Sequence, residues 1–110
     1  MSEEYVIVLS TLPAGADAAS LAAALVDARL AACVNILSPV TSVYRWADAV
    51  ETSIEQKIVI KTAKGRVPAL WEKLRELHPY DVPEFVVLPV VDGSAAYLAW
   101  IGDSTADRGV

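Results

Sequence analysis

Residues 33–62 read CVNILSPVTSVYRWADAVETSIEQKIVIKT. The first part, 33–46, is rich in β-branched and aromatic side chains. It predicts one long strand or two, with Pro39 marking a bulge or a sheet edge. ADAVET (47–52) predicts a turn. In 54–62, Ile54, Gln56, Ile58, Ile60 and Thr62 alternate with Glu55, Lys57, Val59 and Lys61. That period of two predicts an antiparallel strand with one half-exposed face. Two strands therefore follow each other with no helix between them.

The flanking segments complete the pattern. YVIVLST (5–11) predicts a buried strand, and LPAGAD a turn. Residues 17–32 predict an alanine-rich helix started by Asp17 or Ser20, with Leu21, Leu25, Ala28 and Ala32 along one face. Residues 66–77 predict a second helix. Pro68 sits in its first turn, where a missing N–H costs nothing, and Val67, Leu70, Trp71, Leu74 and Leu77 line its apolar stripe. Pro79 disfavours helix at His78 and stops it there. EFVVLPVV (84–91) is apolar on both faces, which predicts a central or covered strand with Pro89 at a bulge or edge. Residues 94–104 predict a short helix capped by Ser94, and TADRGV (105–110) should fray. The order β-α-β-β-α-β plus a short C-terminal helix is α+β and ferredoxin-like, with helices covering one face of an antiparallel sheet.

The 110 residues argue for one domain spanning 1–110. The apolar fraction, 55%, exceeds the ~45–50% of ordinary domains, partly through 18 alanines. Mean hydropathy is positive, and association is the ordinary remedy for apolar surface that one small chain cannot hide. No apolar run approaches the ~18–20 residues of a membrane span. The MSEEYVIVLS start lacks the pattern of a secretory signal, so a cytoplasmic setting is expected. One cysteine excludes an internal disulfide and fits a reducing compartment. A net charge of −5, with basic residues dispersed, argues against nucleic-acid binding.

Chemistry concentrates in HPYDVPE (78–84), which holds the single histidine. There is no GxGxxG, Walker A, GxSxG, CxxC or HExxH, and no second group near His78 to complete a catalytic pair, so no enzyme is expected. One Cys and one His cannot close a zinc site unaided. Copper accepts imidazole or thiolate with carboxylate help, so Cys33, His78 and Glu84 or Asp81 are candidate ligands, drawn from one chain or two. Each has a plainer alternative: Cys33 as a small core residue, His78 as a helix C-cap, Glu84 as a charge opening a strand. Trp71 reads as core. Trp46, with Tyr44 on the same face, is an interface anchor or simple cross-strand packing.

ALVDARLAACVNI, TSVYRW, KIVIKT, LHPYDVPEFVVLPV and YLAW, in this order from Tyr5 to Trp100, resemble the CutA family of divalent-cation tolerance proteins. The resemblance implies a ferredoxin-like fold and a tight homotrimer similar to the PII signalling proteins, with long strands reaching neighbouring subunits and Trp46 as an anchor between them. It implies tolerance of divalent cations, copper above all, and direct metal binding through Cys33, His78 and Glu84. Ser10 and Leu77 stand where some members carry cysteine and histidine, which removes two soft ligands. Two rival readings are a PII-like sensor binding a small anionic metabolite near Lys61, Lys64 and Arg66, and a trimeric scaffold for another protein.

Overall fold

The computed structural model describes residues 4–107. Its elements are β1 (Tyr5–Pro13), α1 (Ala18–Asp27), β2 (Cys33–Trp46), β3 (Ala49–Ala63), α2 (Val67–Leu77), β4 (Val86–Pro89) and α3 (Ala95–Thr105), with a 3₁₀ turn at Lys64–Arg66 before α2. The four strands form one antiparallel sheet in the order β2-β3-β1-β4. This is the ferredoxin-like arrangement expected from the element order.

Alternation along β1 and β3 sends Val6, Val8, Leu12, Ile58 and Ile60 to the face covered by α1 and α2. There they pack with Leu21, Leu25, Leu70 and Leu74 as the core. Ser10 lies on the same face, fully buried opposite Ile58, and its hydroxyl has no hydrogen-bond partner among the described residues. Lys61 points to the opposite face and meets the Tyr97 ring of α3 at 5.9 Å. Helix α3 therefore closes that end of the sheet from the other side, and its Ile101 is buried outside the main core.

Helix α1 ends at Asp27, five residues short of the predicted span, so Ala28 and Ala32 do not extend its stripe. Arg29 takes a left-handed φ of 61°, and Leu30 N–H bonds back to the Leu25 carbonyl, which closes the helix. A glycine would announce such a stop, and this one is made by arginine. Its guanidinium donates to the carbonyls of Asp103 and Ala106 at 2.5 and 2.9 Å, tying down the end of α3. Thr105 is buried there, so fraying does not begin at 105; the last expected frayed residues, 108–110, lie outside the described ones.

The turn predicted over 47–52 shrinks to Ala47 and Asp48, both with positive φ (49° and 66°). These are the backbone values of a two-residue type I′ hairpin, ordinarily signalled by Asn-Gly, so the sequence hides it. The hairpin is correspondingly longer, and the register shift between Leu37 and Val40 places the expected bulge at Pro39. Beyond the bulge, the β2–β3 arm leaves the core. The protein extends 47 × 30 × 22 Å, with a radius of gyration of 14.8 Å against ~13 Å for a compact chain of 100 residues. On the arm Val43, Trp46 and Val50 are 65%, 62% and 67% exposed.

Strand β4 corrects a second expectation. It has only four residues, lies at the sheet edge beside β1, and all four are exposed in the chain. Its apolar residues are only partly covered within this protomer, with Val86, Val87 and Leu88 39–45% exposed. Trp71, expected in the core, is half-buried and packs against Phe85 at 4.8 Å.

Candidate functional site: the groove between the arm and the 78–84 loop

The loop after α2 is pinned to the sheet by three polar contacts. Proline at 79 stops α2, and His78 takes an extended conformation, its own N–H still bonded to the Leu74 carbonyl. The imidazole turns inward and is 7% exposed. Tyr80 N–H donates to Nδ1 at 3.1 Å, so Nδ1 is bare; the proton sits on Nε2 and is donated to the Thr11 carbonyl at 2.6 Å. Tyr80 OH then donates to Glu55 Oε2 at 2.7 Å, and Lys57 Nζ pairs with Glu84 Oε2 at 2.5 Å. Thr11 and Lys57 are direct partners across β1 and β3, so all three contacts meet at one end of the sheet.

Between this loop and the base of the arm runs an open groove of about 980 Å³. Tyr44, Trp46, Ser42, Glu55, Lys57, Tyr80 and Glu84 are among its lining residues. Burial over Glu55 pushes the Tyr80 hydroxyl up to about 12, and the hydrogen bond to the Glu55 carboxylate and its charge add to the shift. The folded pKa lies above the ordinary value of 10, so this contribution to stability is complete below pH 10 and is lost as pH rises towards 12. In an alkaline absorbance titration, Tyr80 should ionise after an ordinary tyrosine would. Tyr80→Phe should remove that late step; if the late step remains, the assignment fails.

The three expected metal ligands do not come together. His78 and Glu84 share one end of the sheet, but Cys33 pairs across the ladder with Lys61, four residues along β3 from Lys57, or ~13 Å at strand rise. Among the described residues no three His, Cys, Asp or Glu side chains are grouped to hold an ion. Both imidazole nitrogens of His78 are engaged, and these contacts hold the 78–84 loop against β1. The expected cap role is only partial, because the backbone, not the ring, bonds the last turn. Cys33 is partly exposed rather than core, with a weak 3.9 Å contact to Asn35 Oδ1. Glu84 opens no strand; it holds Lys57.

The basic residues expected for an anionic ligand are dispersed as well. Lys64 faces Glu4, Arg66 bonds the Arg29 carbonyl and lies 3.9 Å from Asp107, and Lys61 sits under Tyr97. Sequence reading missed Glu55 and Tyr80 as a pair. Glu55 was visible only as the outward residue of an alternating strand, and nothing local ties it to a tyrosine 25 positions away. No helix among the described residues is long and apolar enough to cross a membrane.

Comparison with known proteins places this geometry in a family. A divalent-cation tolerance protein CutA of Thermus thermophilus is 44% identical over 90% of this chain and 96% of its own. A CutA homolog of Xenopus laevis is 42% identical over 84% of this chain, which spans 62% of that longer protein. Among solved structures, the Thermus thermophilus divalent cation tolerance protein superposes with a TM-score of 0.89 at 43% identity, covering 93% of this chain and 99% of that one. CutA1 of the psychrotrophic Shewanella sp. SIB1 gives 0.90 at 36% identity, covering 97% and 100%. Residues 6–104 match the model for the CutA1 divalent ion tolerance protein, and this chain belongs to that family.

Proposed function

We propose that this protein serves tolerance of divalent cations, copper foremost, as a cytoplasmic homotrimer without catalytic chemistry. The family's names describe tolerance and no reaction. The observation that carries the assembly is the β2–β3 arm: a two-stranded ribbon is marginal in water, and this one carries Val43, Trp46, Val50 and Ile54 with no core beneath them. The open edges of β2 and β4 and the exposed apolar residues of β4 add surface that other copies can cover. A single cysteine left as a free thiol supports the reducing compartment.

Metal contact in this reading is weak and centres on Cys33, whose thiol is partly exposed on the edge strand β2. A soft thiolate favours copper over harder cations. Within one chain Glu84 is held by Lys57, ~13 Å along β3 from the Cys33 pairing position, so in this reading it joins Cys33 only from a second copy, and His78 stays with the fold. Light scattering should give about three times the 11.8 kDa of one chain; a particle of single-chain mass removes the assembly. Dialysis against copper followed by metal analysis tests the ligand. Cys33→Ser should lose the bound copper, and equal uptake by wild type and Cys33→Ser would sink direct binding at this residue.

A further inference from the structure

The sequence contains a single Asp-Gly step, Asp92–Gly93, and no Asn-Gly. It lies in the link between β4, which ends at Pro89, and α3, which starts at Ala95. Both residues are exposed and belong to no helix or strand. Strand β4 runs from Val86 beside Leu9 to Pro89 beside Val6, and Val90 N–H then bonds the Tyr5 carbonyl at 3.0 Å. The link therefore emerges at the Tyr5 end of the sheet. The β2–β3 arm leaves from the opposite end, beyond Pro13 and Glu55. Within the chain, Asp92 is thus remote from the arm surfaces assigned to the subunit contact.

Two local features make this step reactive. Asp92 Oδ1 accepts from Gly93 N–H at 2.8 Å, so the backbone nitrogen already lies against the side-chain carboxyl of the preceding residue. That is the approach from which an imide ring closes, and holding reacting groups together removes much of the entropic barrier. Gly93 also has no Cβ to shield its nitrogen. We propose that Asp92–Gly93 is a site of spontaneous covalent modification, at which the native loop converts aspartate to isoaspartate.

The Gly93 nitrogen attacks Asp92 Cγ. The new N–C bond forms as the carboxyl C–OH bond breaks, and the amide proton leaves with the hydroxyl as one water. A second water adds at the Asp92 main-chain carbonyl of the ring and cleaves its bond to the Gly93 nitrogen. The main chain then runs through Cβ and Cγ, one carbon longer, with a freed carboxylate and no net change in mass. Water is the only co-reactant. The extra length enters directly ahead of Ser94, whose hydroxyl caps α3 by accepting from Tyr97 N–H at 3.3 Å. The modified chain therefore loosens the start of α3 first.

Prolonged warm incubation of the intact protein in mildly acidic buffer tests this. An isoaspartyl methyltransferase with labelled S-adenosylmethionine should label the peptide that holds residue 92. A protease that cuts before aspartate should lose its cut between Val91 and Asp92. Asp92→Glu, whose added methylene disfavours the ring, should lose the label. Gly93→Ala keeps the carboxylate and should slow labelling; its methyl meets the Leu98 side chain at 3.4 Å, a contact the fold accommodates. Circular dichroism and light scattering confirm that both variants are intact. A folded protein that stays unlabelled while the denatured chain is labelled overturns the proposal, as does equal labelling in wild type and an intact Asp92→Glu.

Discussion

Trp46→Ala combined with Val50→Asp is expected to break the assembly into single chains. In an isolated protomer these residues are exposed, and surface changes of this kind shift stability by ~0.5 kcal/mol or less. At a subunit contact the expectation is different. Truncating a buried tryptophan costs ~2 kcal/mol or more, and a carboxylate placed in an apolar contact adds its desolvation. The two residues sit near the tip of the arm on opposite faces, since Trp46 pairs with Ala49 and Val50 with Arg45. Together they strike both surfaces of the ribbon. Light scattering reads the loss as a fall to about one third of the wild-type mass, with a large drop in melting temperature. A variant that keeps its mass and melts like the wild type would mean that the arm does not carry the assembly.

His78→Ala is the second large effect, and it separates fold from function. The substitution removes a buried ring and leaves the Thr11 carbonyl and the Tyr80 N–H without their partners. A buried orphan polar group costs ~1–3 kcal/mol, and the cavity adds to it. A loss of about 3 kcal/mol is expected in denaturant unfolding, with the 78–84 loop released from β1. Copper uptake by the folded variant should match that of the wild type, because both ring nitrogens are already engaged. Lost copper with unchanged stability would make His78 a ligand and contradict its hold on the loop.

Most of the architecture was legible because period-two and helical patterns are local. The alternation in 56–62, the Pro68 start of α2 and the Pro79 stop all appear in the structure as read, while at the strand's outer end Ile54 is exposed and Glu55 buried. The failures have one physical source: the deciding interaction lies elsewhere in the chain or outside it. Arg29 ends α1 early because its guanidinium finds α3, more than 70 positions away. Ala47 and Asp48 adopt left-handed values that their side chains do not advertise. Strand β4 reads as covered because its residues are apolar, but the protomer covers them only in part. The candidate site followed the same rule. HPYDVPE was visible as a chemical cluster, while the partners that fix its roles, Thr11, Glu55 and Lys57, come from two other strands.

The arm carries a thermodynamic consequence. In the proposed homotrimer the ribbon packs on other copies, which would move part of the stabilising free energy from the chain into association, and association obeys mass action. Melting temperature should then climb with protein concentration, and dilution alone should loosen the native state before any denaturant is added. The amount of this protein that a cell maintains becomes one of the determinants of how firmly each chain is folded.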